Sequence, residues 1–267
     1  MALWEAIRMG RRDTAVAIAT AVATAAMLSA AAVTEPQRDR LRLIVQQQCV
    51  PLWLKEHRAD PCLSVSIEVS SAAARDRGYA ILHDRKGGAH LLLISTRSIT
   101  GIESPELEEP GAPNYFDAAW KARGMLASYL GHSVPRSAVG LAMNSIRARS
   151  QDQLHIHIEC LGRGIFAALA QNAQRIRPTW SQITLDGWPY QALRIDGADL
   201  GAQNPVQLLA AGMPGDLVRA GQFTMLVAGM QYADGPGFAV LASTSAPGAE
   251  LLLDSSCAVG AGPSEDD

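Results

Sequence analysis

Apolar and polar positions alternate most sharply in "RSQDQLHIHIEC", Arg149 to Cys160. Successive side chains of a β-strand project to opposite faces. The pattern predicts a strand with Leu154, Ile156 and Ile158 on an oily face and Gln153, His155, His157 and Glu159 on a polar one. Upstream, "YAILHD" and "AHLLLIST" flank "RKGG", which predicts a β-hairpin about a Gly-Gly turn. "SAVGLAMNS" predicts a further strand, leading through "RARSQDQ" into the histidine strand. "FTMLVAGM" and "FAVLAST" predict a second hairpin that loosely echoes the first, as a degenerate repeat or as two hairpins of like composition would.

Helical periodicity governs three other stretches. "EPQRDRLRLIVQQQCVPLWLKEH" has Leu41, Ile44, Val45 and Gln48 at helical spacing and predicts an amphipathic helix ending near Pro51. In "NYFDAAWKARGMLASYLG", Phe116, Trp120, Met125, Leu126 and Leu130 suit one helix face, and Gly131 suits its stop. A third helix is expected from about Ile165 to Ile176, entered through "LGRG". From Pro178 onward the apolar runs are shorter and separated by Gly/Pro-rich turns. Strand runs and helices without strict alternation point to an α+β fold, an antiparallel sheet with packed helices.

The ends of the chain follow different rules. Arg8, Arg11 and Arg12 precede an uncharged Ala/Val-rich run from Thr14 to Val33. That run is near the roughly 20 residues that span a bilayer and exceeds the roughly 7 to 15 of a signal-peptide core, so an uncleaved transmembrane anchor is expected. Two other readings stay open: cleavage at Ser29-Ala30-Ala31-Ala32, or a buried Ala-rich helix. Arginines on the cytoplasmic side place the rest of the chain across the membrane. The tail "GAGPSEDD" is expected to be disordered. The domain reading is an anchor over 1–34, a catalytic domain over 35–259 and a tail over 260–267.

With 23 basic and 26 acidic residues in 267, the chain lacks the cationic surplus that nucleic acid selects, and no nucleic-acid partner is expected. The four cysteines, Cys49, Cys62, Cys160 and Cys257, allow three pairings in an oxidising compartment. The favoured one joins Cys49 to Cys62 across a short Pro-bracketed loop and Cys160 to Cys257, clipping the C-terminal tail to the histidine strand. Four reduced, buried thiols would fit a cytoplasmic body, which the anchor argues against.

The polar strand face admits three chemistries: metal ligation, a nucleophilic histidine, or histidines that merely satisfy hydrogen bonds. A metal needs a third ligand beyond His155 and His157. Glu159 is on the correct face but at the strand's end, and His57, His83, His90 and His132 are scattered singly.

"AMNS" followed by "RARSQDQLHIHI" is similar to the histidine-triad (HIT) pattern, with Gln153 where the first triad histidine would stand. The chain as a whole more closely resembles the bacterial CDP-diacylglycerol pyrophosphatases, a HIT-related family, through "TGIESPEL", "PNYFDAAWKAR", "NS...RSQ" and "HIHIEC" in order and the basic N-terminal anchor. The resemblance implies a HIT-like sheet and a metal-free, cofactor-free site that splits CDP-diacylglycerol into CMP and phosphatidate.

By the same resemblance His155 would be the nucleophile and His157 a phosphate donor. Asn144, Arg149, Ser150, Gln151 and Gln153 would bind substrate. Arg163, at a helix start, is a further anion candidate, and Arg149 equally suits a solvated turn. Tyr115 or Phe116 would face the cytosine, unless they form a core face, which is preferred for Phe116 and Trp120. Glu103 and Ser104 belong to the pattern without a role. The partners implied are CDP-diacylglycerol and the membrane bilayer, with the catalytic domain periplasmic at the bacterial inner membrane. The oligomeric state stays open. The competing functions are a HIT-type hydrolase or transferase of soluble nucleotide diphosphates, and an exported metal-binding protein using His155, His157 and Glu159.

Overall fold

The computed structural model describes residues 35–68, 70–71, 77–212 and 221–259. The chain divides into two compact units, Met1–Gln37 and Arg38–Asp267. The expected anchor and tail lie outside the described residues. No helix among the described residues is long and apolar enough to cross a membrane.

The second unit is α+β, as the periodicities predict. Its strands are β1 Ser64–Ser66, β2 Tyr79–His83, β3 Leu91–Ser95, β4 Val139–Met143, β5 His155–Leu161, β6 Ser181–Leu185, β7 Trp188–Asp196, β8 Thr224–Tyr232, β9 Gly235–Ser243 and β10 Leu253–Asp254. They form one antiparallel sheet in the order β1-β2-β3-β5-β4-β8-β9-β7-β6. β3 pairs with His155 to Ile158 and β10 takes the next stretch of the same edge, at Cys160 and Leu161. Both predicted hairpins form, the first through Gly87 and Gly88 at positive φ, where a missing Cβ removes the steric cost. The β6–β7 hairpin, turning at Asp186-Gly187, escaped the pattern because its burial is only partial on both strands.

Helices cover both faces of this sheet. On one face α3 Tyr115–Ala122 buries Phe116 and Trp120 against Leu93, Leu141, Ile156 and Ile158. Tyr115 is buried in the same cluster, so none of these rings faces a cleft. The predicted long helix continues as a 3-10 turn, Arg123–Leu126, and α4 Ala127–Leu130, ending on left-handed Gly131. On the opposite face two separate elements pack. The N-terminal segment is α1 Arg40–Ile44, a π-helical turn Val45–Cys49 and α2 Val50–Glu56, and it covers Ala80, Leu92 and Ile94. Its buried stripe is Leu41, Val45 and Cys49, with Gln48 exposed, and the helical path continues past Pro51 because that proline sits in the first turn of α2. Farther along, α5 Arg163–Asn172 covers Ala142, Leu161, Leu226 and Leu241. A further helix, α6 Pro205–Gly212, buries Val206 and Leu209 with the α3 cluster. Cys49 pairs with Cys62 and Cys160 with Cys257, the favoured pairing.

Candidate active site

The face of β5 that carries His155, His157 and Glu159 also carries Leu161, which α5 covers, and it lies beside Leu92 and Ile94, which the N-terminal segment covers. Between these two coverings opens a cleft of about 340 Å³. Its floor includes His155 and His157, and Leu41, Ile44, Pro61 and Leu82 give it an apolar wall. Arg40, Arg85 and Lys86 add positive charge, and Asp84 and Glu250 add carboxylates. Sequence reasoning missed these charged groups because they come from α1, the β2–β3 turn and the 3-10 turn Ala249–Leu252, all remote in sequence from β5.

His155 has one assigned nitrogen. Its Nδ1 lies 2.7 Å from the Gln153 carbonyl, which only accepts, so Nδ1 carries the hydrogen and Nε2 keeps its lone pair. Burial lowers the imidazole's pKa, which keeps the ring neutral near neutral pH. The rings of His155 and His157 stand 5.1 Å apart, inclined at 63°. Burial, then the proximity of His155 and His90, holds His157 well below the ordinary histidine range. Its Nε2 is buried without a hydrogen-bond partner among the described residues. Glu250 Oε2 is 3.1 Å from that nitrogen but out of line for a hydrogen bond.

His90, just before β3, falls opposite Glu159 because Leu92 pairs with His157. Its Nε2 is 2.9 Å from His157 Nδ1 and 3.1 Å from Glu159 Oε1. Burial brings the His90 pKa down to about 4. Burial, reinforced by the Glu250 charge, pushes the Glu159 carboxyl up to about 8. His90, His157 and Glu159 offer ligand atoms within 4.8 Å of one another, the one such grouping among the described residues, and His155 is not in it. The 2.9 Å contact between His90 and His157 is a hydrogen bond, shorter than the ~3.3 Å edge that 2.0–2.1 Å zinc–nitrogen bonds require.

The other predicted residues divide into two groups. Ser150 and Gln151 line the cleft, and Gln151 also accepts the Leu41 N–H, tying α1 to the turn. Asn144, Arg149 and Gln153 are buried behind it. The Asn144 side-chain oxygen accepts from the backbone of Ala249 and Glu250 and so places Glu250 over His157. Arg149 grips Glu103 through two nitrogens at 2.7 and 2.8 Å and also bonds Asp152. Burial pushes Glu103 up, but the hydrogen bonds from Arg149 and Thr100 outweigh it and leave the carboxyl below its usual range. Asp152 is held at about 2, chiefly by Arg38. Ser104 receives the Gly101 N–H, so "TGIESPEL" is a clamp on the turn before β5. Gln153 is fully buried and donates to the Ser95 and Arg97 carbonyls. Arg163 begins α5 and is not part of the cleft lining.

Comparison with known proteins adds a family. A family model described as CDP-diacylglycerol pyrophosphatase matches residues 36–261. A curated CDP-diacylglycerol pyrophosphatase of Yersinia pestis is 36% identical over 229 residues, which is 83% of this chain and 84% of that protein.

Proposed function

The chain belongs to the CDP-diacylglycerol pyrophosphatase family, and from that premise we propose that it hydrolyses CDP-diacylglycerol to CMP and phosphatidate in phospholipid metabolism, with His155 as the nucleophile. The observation that carries the nucleophile is the His155 Nδ1–H bond to the Gln153 carbonyl, which leaves the Nε2 lone pair on a cleft floor. A neutral imidazole attacks without first losing a proton. Nε2 bonds to the CMP-side phosphorus while the bridging P–O bond breaks, and phosphatidate leaves with the electron pair. Water then attacks the same phosphorus, releases CMP and returns the lone pair to Nε2.

The buried Nε2 of His157 is suited to donate to a phosphate oxygen that gains charge in the transition state. Arg40, Arg85 and Lys86 offset the diphosphate charge, and Ser150 and Gln151 add neutral polar groups. Asn144, Arg149 and Gln153 act on the substrate through the elements they hold. The apolar wall favours a substrate with a lipid portion over a soluble nucleotide diphosphate. Two disulfides fit an oxidising compartment. In this reading the catalytic unit is periplasmic, residues 14–33 anchor it in the inner membrane, and the His-x-His strand is of the HIT kind; the disulfides and the uncharged Ala/Val-rich run support it.

The test is acid-quenched turnover on substrate labelled in the CMP phosphate, followed by peptide mapping. A CMP adduct on His155 is expected, lost in His155→Gln and retained in His157→Ala, whose kcat falls by about 10²- to 10³-fold. An adduct on His157 would reverse the two roles. Faster hydrolysis of CDP-choline than of CDP-diacylglycerol would replace the lipid substrate by a soluble one.

A further inference from the structure

His157, on the cleft lining, donates to a phosphate oxygen only when its single hydrogen sits on Nε2, the buried nitrogen left without a hydrogen-bond partner among the described residues. Nδ1 must then be a bare acceptor, because a neutral imidazole carries one N–H. The group that meets Nδ1 is His90 Nε2, at 2.9 Å, so His90 must carry its own hydrogen there. That same N–H has a second suitor in Glu159 Oε1 at 3.1 Å. An ionised carboxylate is a much stronger acceptor than an imidazole nitrogen. Once Glu159 ionises, the His90 hydrogen turns toward it, Nδ1 of His157 loses its donor, and the ring is free to take the other tautomer, which points a lone pair at the phosphate.

We propose that His90 and Glu159 are positioning residues of this same reaction: the His90 Nε2–H, 2.9 Å from His157 Nδ1, holds His157 in its Nε2–H tautomer, and Glu159 Oε1, 3.1 Å from the same nitrogen, is the acceptor that competes for that hydrogen. The inference rests on His157 being the phosphate donor. Burial first, and then the neighbouring charges, favour the un-ionised form of Glu159. Asp84 approaches from the β2–β3 turn, Glu250 from the 3-10 turn and Asp254 from β10, and together they outweigh Lys86, the cation facing it. On its own sheet face it meets the rings of His90 and His157, both kept neutral by burial.

The pH dependence has a defined sign. With its carboxyl at about 8 when folded, against an ordinary 4.5, the folded chain keeps a proton that the unfolded chain has released. Stability from this group is complete below pH 4.5, declines as the pH climbs to about 8, and is level beyond. Activity follows the same ionisation and should fall on an alkaline limb near pH 8.

The experiment compares kcat, KM and melting temperature against pH for the full-length protein and for Glu159→Gln, His90→Gln and His90→Ala. Glu159→Gln cannot ionise, so it should keep kcat at neutral pH, lose the alkaline limb, and gain melting temperature relative to the parent as the pH rises from 5 to 9. His90→Gln presents an amide donor near the position of Nε2 and should stay within about 10-fold of the parent, while His90→Ala should lose about 10- to 100-fold in kcat with little change in KM, less than outright removal of a donor costs. An alkaline limb unmoved in Glu159→Gln, a melting difference constant with pH, or parental kcat in His90→Ala would overturn the proposal. So would a stoichiometric metal in the purified protein, since an ion among these three groups would replace the hydrogen bond. Adduct mapping separates the two levels: no adduct on His155 defeats the nucleophile, whereas an adduct in every variant with an unchanged pH profile defeats only the pairing of His90 with Glu159.

Discussion

Glu250 lies beside His157, the phosphate donor of the proposed reaction. Its carboxylate is half-buried, lines the cleft and lies 3.1 Å from His157 Nε2. The second step proposed here needs a general base for its water, and a carboxylate on the cleft lining can serve as one. Glu250→Gln should therefore form the His155 adduct at near-parental rate and hydrolyse it about 10²- to 10⁴-fold more slowly. Rapid-quench measurement would see the adduct accumulate; loss of adduct formation itself would place Glu250 in the first step. At this scale the histidines were legible because period-two alternation puts His155 and His157 on one face from local sequence alone. His90 was not, since nothing in "GGAHLLL" says which strand lies beside it.

Among the elements, the short C-terminal segment carries more than its length suggests. β10 completes the β5 edge, the preceding 3-10 turn delivers Glu250, and the Cys160–Cys257 bridge fastens the end of this segment to the histidine strand. The bridge spans 97 residues against 13 for Cys49–Cys62. Loop-closure entropy grows slowly with length, from about 3 kcal/mol for a loop near 15 residues to about 4.7 near 100 on the chain-entropy account. Replacing Cys160 and Cys257 by serine together should cost more stability in denaturant titration than the same change at Cys49 and Cys62. It should also slow adduct hydrolysis, because the turn that carries Glu250 then keeps its hydrogen bonds to Asn144 and Thr224 but loses the covalent tie beyond it. Equal losses of stability would mean that native contacts of the tail, and not chain closure, set the cost. Arg149 is a lesson at the same scale. A charged residue in a turn next to the site suggests phosphate, but Glu103, 46 positions upstream, already occupies its guanidinium.

For the whole molecule, the cleft exists because the covering of one sheet face is interrupted. The N-terminal segment and α5 each seal an apolar patch, and the strand between them is left polar. The N-terminal segment walls the cleft, and in the sequence it follows residues 14–33, the stretch proposed as an anchor. A chain beginning at Glu35 should keep its rate on substrate dispersed in detergent and fall well behind the full-length protein on vesicles containing CDP-diacylglycerol. A short tether commonly supplies an effective concentration in the millimolar range, which the truncated chain forgoes. Equal vesicle rates would remove any role for anchoring in capture.

The division between chain and fold follows the range of the forces involved. Alternation, helical periodicity, Gly turns and the family motifs are local, so the α+β class, both hairpins, the helix stopped at Gly131 and the pair His155/His157 could be read from one dimension. The sheet order and its register join segments far apart in the chain, and only they set His90 against Glu159, Glu250 against His157 and Glu103 against Arg149. Burial then completes the chemistry: the same carboxyl that a sequence places at an ordinary 4.5 moves to about 8 once three layers of structure exclude water from it and other carboxylates gather around it.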